Sequence, residues 1–174
     1  MTQNNRRNIY DKKDSLELGD KSESHFKNIA KKRGWQCSDA NRDENINEHW
    51  DYQIQSNERI YRVDVKAMKR ISRRDTSTQD EWIWIELHGV RENDEGWLYA
   101  GKADLLAFET MNSFVIVERE RLIALIEEKV DKTHSVNKGY QAKYKVYSRS
   151  GRPDLITLVN ISDLRDILWD EWIK

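Results

Sequence analysis

Apolar positions follow a helical period from residue 15, with Leu16, Phe26, Ile29 and Ala30 in one narrow arc and Lys21, Lys31 and Lys32 pointing away. That spacing predicts an amphipathic helix, with Gly34 as its stop. The preceding residues 1–14, MTQNNRRNIYDKKD, carry neither a helical nor a strand period and read as a frayed or disordered arm. Residues 37–48 are polar and rich in Asn and Asp, which predicts a loop. Two strand-like runs, 49–55 and 60–68, then flank the short connection SNER, as an antiparallel hairpin requires. In the second run Val63, Val65 and Ala67 alternate with Asp64 and Lys66.

Residues 69–80, KRISRRDTSTQD, combine charge with turn formers and read as a loop. Two further strands are expected over 82–90 and 96–109, separated by RENDEG, and a short one over 114–117. A helix over 118–130 places Leu122, Leu125 and Ile126 on one face. Late strands over 140–148 and 155–159 surround SGRPD, and a final helix over 162–172 is expected to be capped by Ser162. Helix, several strands, helix, strands, helix is the order of an α/β (α+β) mixed sheet flanked by helices. The expected organisation is a single domain over 15–174, with its core at about 15–130 and a C-terminal extension over 131–174.

Composition narrows the classes. Cys37 is the single cysteine, which excludes an intramolecular disulfide framework and a cysteine-rich zinc site. No apolar run has membrane-spanning length, and the N-terminus lacks the apolar stretch of a secretory signal, so a cytoplasmic, membrane-free protein is expected. The formal net charge of −1 neither demands nor excludes a polyanionic partner. Local charge is more informative, because residues 62–74 hold six basic side chains against one acidic. Lys69, Arg70, Arg73 and Arg74 are therefore candidates for contact with backbone phosphates, with Lys27 on the first helix as a less specific one.

Four charged residues stand where packing alone would favour apolar ones: Glu23, Asp51, Asp64 and Lys66. Glu23 falls inside the apolar arc of the first helix, where a carboxylate is costly unless paired, metal-bound or at the rim of a cleft. Asp64 and Lys66 project from one strand face, roughly 7 Å apart along the strand. Asp51, on the preceding strand, can approach Asp64 across the hairpin. Converging carboxylates repel unless a cation sits between them, and hard oxygen donors select Mg²⁺ or Mn²⁺. A neighbouring lysine can then hold water and stabilise charge on a phosphate, which together is equipment for phosphodiester hydrolysis.

Each residue also has an ordinary structural reading. Asp64 and Lys66 could form a surface ion pair, Glu23 could pair with Lys27, and Asp51 could bond its own backbone. The functional reading gains from their joint convergence. His25, His49, His88 and His134 have no metal-ligand spacing, but strand alternation would put His49 on the face of Asp51. Trp82, Trp84, Trp97 and Tyr99 read as core or dimer packing before a base-stacking platform.

The pattern Gly19, Glu23, Gly34-Trp35, then Trp50-Asp51-Tyr52, then Val63-Asp64-Val65-Lys66 resembles the PD-(D/E)XK nuclease superfamily over roughly residues 15–130. Glu23 matches the first-helix glutamate of its resolvase-like and RecB-like branches, Asp51 the lone aspartate, and Asp64 with Lys66 the (D/E)XK pair. Two departures are Trp50 in place of the motif's proline and Asp64 where glutamate is commoner. The resemblance implies a restriction-endonuclease-like αβββαβ core, Mg²⁺ dependence and cleavage of nucleic acid, with Asp51, Asp64 and Glu23 toward the metal and Lys66 toward the water. Gln79 and Lys102 are possible accessory residues, and an origin in a phage or mobile element fits the family's habit. The rival expectations are a homodimeric junction or branched-DNA resolvase, a non-catalytic nucleic-acid- or protein-binding module, and an accessory subunit docking through its Trp-rich face and the acidic residues Asp163, Asp166, Asp170 and Glu171.

Overall fold

The computed structural model describes residues 6–174, with side chains from residue 15. Its elements in chain order are α1 (Arg6–Lys32), β1 (Gln36–Asp39), α2 (Arg42–Asn47), β2 (Tyr52–Gln55), β3 (Ile60–Lys66), β4 (Trp82–His88), α3 (Gly96–Tyr99), β5 (Leu105–Glu109), β6 (Ser113–Glu118), α4 (Arg119–Lys129), β7 (Asp131–Val136), β8 (Lys145–Ser148), β9 (Leu155–Asn160), α5 (Ile161–Asp166) and β10 (Leu168–Ile173). The expected α/β architecture, with mixed sheets and flanking helices, is present.

A six-stranded sheet runs in the order β1-β2-β3-β5-β6-β10, and a four-stranded one in the order β4-β9-β8-β7. In the first sheet β3 and β5 are parallel, whereas the other neighbours are antiparallel. Alternation along its central strands sorts their side chains into two cores. Val63, Val65, Leu105, Ala107, Phe114 and Ile116 pack beneath Phe26, Ile29 and Ala30 of α1. Leu106, Phe108, Val115 and Val117 face the other way, onto Ile83, Ile85 and Leu87 of β4 and Leu122, Leu125 and Ile126 of α4. With both faces covered, β5 and β6 read as continuous apolar runs rather than alternating ones.

Several expectations are corrected. Helix α1 already includes residues 6–14 of the segment read as an arm, while residues 1–5 lie outside the described part. Leu16 is 67% exposed, so the covered face of α1 begins further along. The loop expected over 37–48 contains β1 and α2, and α2 is held by a capping box between Asn41 and Glu44. Residues 96–109 do not form one strand, because Gly96–Tyr99 coils into α3 before β5 begins. Strand β7 was not anticipated; its side chains are mostly exposed and give no alternating signal. The C-terminal helix ends at Asp166, is capped by Asn160 rather than Ser162, and gives way to β10. Pairing with β6 overrides the helical pattern there and delivers Trp172 to the core.

Trp172 and Phe26 are both fully buried, with ring centroids 5.1 Å apart and planes stacked at 13°, and Phe114 meets Phe26 edge-on at 5.5 Å. This contact fastens α1 to the far edge of the first sheet. Phe26→Ala is expected to cost about 3–5 kcal/mol of stability, read as a lower urea midpoint at unchanged slope.

Candidate active site

Strand β3 turns Val63 and Val65 toward α1 and therefore Asp64 and Lys66 toward the opposite side of the sheet. Asp64 is 4% exposed. Lys66 Nζ stands 2.7 Å from Asp64 Oδ2 and 4.5 Å from the centroid of the Trp97 ring. Asp64 is therefore a buried carboxylate whose charge is met by one partly exposed ammonium.

Trp97 reaches Lys66 because α3 is a tight turn set by two glycines. Gly96 has φ +80° and lies so close to β4 that a Cβ there would stand 3.1 Å from the His88 amide nitrogen. A Cβ at Gly101 would stand 2.2 Å from the Trp97 carbonyl oxygen. The indole is 8% exposed, which gives the ammonium an aromatic face in a poorly hydrated setting.

Asp51 occupies the position immediately before β2, where the β2–β3 ladder ends at the Tyr52–Val63 pair. Its amide donates to Val63 O at 2.8 Å, and its carbonyl accepts from the Ala40 amide at 2.8 Å. The carboxylate continues the ladder with its side chain: Oδ2 accepts from the Val65 amide at 2.7 Å, and Oδ1 accepts from Asn45 Nδ2 at 2.7 Å. Asp51 thus satisfies a strand amide that β2 no longer reaches.

The Asp51 and Asp64 carboxyls come within hydrogen-bonding reach of one another. Burial, then the charge of Asp64, pushes Asp51 up to about 7, against the opposing Val65 amide and Lys66. Burial raises Asp64 as well, and Lys66 opposes it. Such a pair must share a proton or take up positive charge near neutral pH.

Glu23 stands across a cleft of about 510 Å³ that it lines together with Lys27, Asp39, Arg42, Asn45 and Asp51. Burial first, then Asp51 and Asp20, push it up to about 7. Among the described residues no three or more His, Cys, Asp or Glu side chains are grouped to hold a metal ion. Lys27, on the same helix face, is 2.6 Å from Asp39 Oδ1 and 5.5 Å from the Tyr52 ring centroid.

The other sequence candidates fall elsewhere. His49 lies outside β2 with φ 56°, and its Nε2 is 3.5 Å from Asp94 Oδ1, so it does not share a strand face with Asp51. Gln79 is spent on backbone: Nε2 donates to the carbonyls of Lys69 and Trp82, while Oε1 accepts from the amides of Glu81 and Trp82. Lys102 Nζ is 3.2 Å from Glu48 Oε1. Lys69, Arg70, Arg73 and Arg74 lie on the segment leaving β3, with Lys69 within electrostatic reach of Asp64 and Lys66. Asn45 and Trp97 enter the site unanticipated. Asn45 belongs to a helix that buries no residue, and Trp97 to a turn that reads as strand.

No protein-family model, curated protein or solved structure matches this chain.

The raised pKa of Glu23 has a signed consequence for stability. A carboxyl whose pKa rises from 4.5 to about 7 on folding favours the fold below pH 4.5, and that contribution is lost as pH climbs through 7. Glu23→Gln removes the cost of the buried charge. With solvent screening at this half-buried position, the variant should gain about 1 kcal/mol at pH 8, a rise in Tm of roughly 2–4 °C, and nothing at pH 4.5. Thermal melts in EDTA at the two pH values check it.

Proposed function

We propose that this protein is a divalent-cation-dependent nuclease that hydrolyses phosphodiester bonds, with DNA as its foremost substrate. The observation that carries the reading is the buried Asp51–Asp64 pair at the end of the β2–β3 hairpin, with Lys66 held beside it by Trp97. Strongly raised carboxyl pKa values beside a fixed lysine, opening on a polar cleft, are common features of catalytic sites. The chain order supports the reading too. Helix α1, the antiparallel β1–β3 and then, after α3, the parallel strand β5 follow the αβββαβ order that the family resemblance implies, with β4 inserted.

The donor set fits Mg²⁺ or Mn²⁺. Asp51 and Asp64 are two buried carboxyls in close approach with Lys66 as the nearest cation, so further positive charge between them is favourable. Mg²⁺ commonly takes one or two protein carboxylates and keeps several waters, so two aspartates suffice without a third ligand from Glu23. When bound, the cation acidifies water and offsets negative charge at the phosphate.

The chain's own residues do the rest. Asp51 is fixed by the Val65 amide and by Asn45, which sets the direction of its carboxylate before any ligand arrives. Lys66 carries the positive charge nearest the pair, placed to orient water and to stabilise charge that grows on the phosphate. Glu23, across the cleft, exchanges its proton near neutral pH and is suited to proton transfer. Lys27 and the segment carrying Lys69, Arg70, Arg73 and Arg74 supply backbone contacts.

The acidic C-terminal residues give the accessory-subunit reading little support. Asp163 engages Lys129 and Tyr144, Asp170 engages Arg33, and Glu171 engages Arg165 and Ser113.

Supercoiled plasmid, linear duplex, single strands, a four-way junction and RNA, each with Mg²⁺, Mn²⁺ or EDTA, provide the test beside Asp64→Ala and Lys66→Ala. Metal-dependent products are expected from the wild type, reduced at least roughly 100-fold in either variant. An Asp64→Ala protein that cuts as well as wild type would sink the assignment.

A further inference from the structure

Residues 132–153 contain six lysines and arginines and no aspartate or glutamate, in a chain whose formal net charge is only −1. The segment builds β7, β8 and the turns beside them in the second sheet. Two of its cations are engaged, Lys132 by Glu127 and Arg149 by Asp154. Lys138, Lys143, Lys145 and Arg152 are exposed, and among the described residues none has a carboxylate within ion-pair distance. The outer face also carries Glu86 of β4 and Asp131, the cross-strand partner of Lys145, but the segment that forms most of it is basic throughout.

Aromatic rings lie among these charges. Val146 points into the core, so its neighbours Lys145 and Tyr147 share the outer face of β8. The outward Trp84 of β4 meets Tyr147 at 6.0 Å, and Lys143 Nζ lies 4.2 Å from the ring centroid of Trp82. The face also adjoins the candidate active site. Trp84 Nε1 donates to the Arg70 carbonyl at 2.9 Å, which seats the basic segment after β3 against it. Lys69 lies within electrostatic reach of both Lys66 and Arg149, with Glu86 nearby.

We infer that the outer face of the second sheet, around Lys138, Lys143, Lys145 and Arg152, docks the phosphate backbone of a nucleic-acid duplex running on from the cleft. The choice of occupant rests on the nuclease reading. The charge itself requires only a polyanion, and its continuity with the basic segment beside Lys66 selects an extended one. The contacts are to backbone phosphates, which exposed ammonium and guanidinium groups bind as charges without reading sequence.

Fluorescence anisotropy with a labelled duplex of roughly 30 base pairs, in EDTA over a salt series, tests the inference without any need for catalysis. The variant combines Lys138→Gln, Lys143→Gln, Lys145→Gln and Arg152→Gln, all at exposed positions, and its fold is checked by circular dichroism melts. Its slope of log affinity against log salt is expected to shrink by about 3–4, with affinity at moderate salt falling on the order of 10–100-fold. The control Lys31→Gln/Lys32→Gln, at the end of α1, should bind as wild type. An unchanged slope in the fourfold variant, or a wild type that prefers anionic vesicles or polyglutamate to the duplex, overturns the platform. Metal-dependent cutting with unaltered duplex binding by the fourfold variant would sink the platform alone. Platform-dependent binding with no cutting under any metal would sink the nuclease reading alone.

Discussion

The structure depends on a single constraint, that β3 must keep an aspartate and a lysine on a face its neighbours bury. Asp64 at 4% exposure is an expensive place for a carboxylate, and one lysine at 2.7 Å does not recover the full loss of hydration. The surroundings distribute that cost. Strand β2 stops short so that the Asp51 carboxylate takes over the Val65 amide, α2 brings Asn45 to the other oxygen, and the α3 turn sets an indole under the ammonium. A purely structural role would be met more cheaply by apolar side chains of similar volume, so so much local provision for buried charge favours a chemical role.

The topology explains how distant sequence segments meet there. Strands β3 and β5 are parallel, and parallel neighbours require a long crossover between the end of one strand and the start of the next. Residues 67–104 provide it, and they hold the basic segment, β4 and α3. The crossover therefore delivers three things to the mouth of the site: cations, an edge of the second sheet and Trp97. Because β4 pairs with β9, the C-terminal strands are drawn to the same place. The second sheet is thus attached through the segment that leaves β3.

Much of this was legible in the chain. The alternation of valines with Asp64 and Lys66 gave the strand, its faces and the charged pair, and SNER gave the hairpin that sets Asp51 beside them. Glu23 was legible as a carboxylate within an apolar arc. What escaped was fixed by tertiary pairing or by backbone geometry. LWDEWI has a helical pattern, and only the free edge of β6 makes it β10. Strand β7 and helix α2 bury too little to imprint a period, although Asn41 and Glu44 stand at capping-box spacing. His49 was misplaced because a positive φ breaks the alternation assumed for it. Trp97 was assigned to a strand because nothing local announces that Gly96 and Gly101 fold it into a turn.

Charge balance in the cleft links the fold to its chemistry. Three carboxyls share the neighbourhood of Lys66, and full ionisation would leave two uncompensated negative charges in a partly dehydrated site. The free protein meets this by retaining protons: Asp51 and Glu23 both titrate at about 7, well above ordinary carboxylates. On the proposed nuclease reading, a divalent cation would compete with those protons for the same oxygens, and its affinity would rise with pH across the neutral range. Within the pair the effect is one-sided: Asp64 raises the proton affinity of Asp51, while the hydrogen bond from Asp51 lowers that of Asp64. On the same proposal Asp51 and Asp64 would hold the cation, which would also relieve the repulsion that Asp51 exerts on Glu23 and so tie the proton on Glu23 to occupancy of the site.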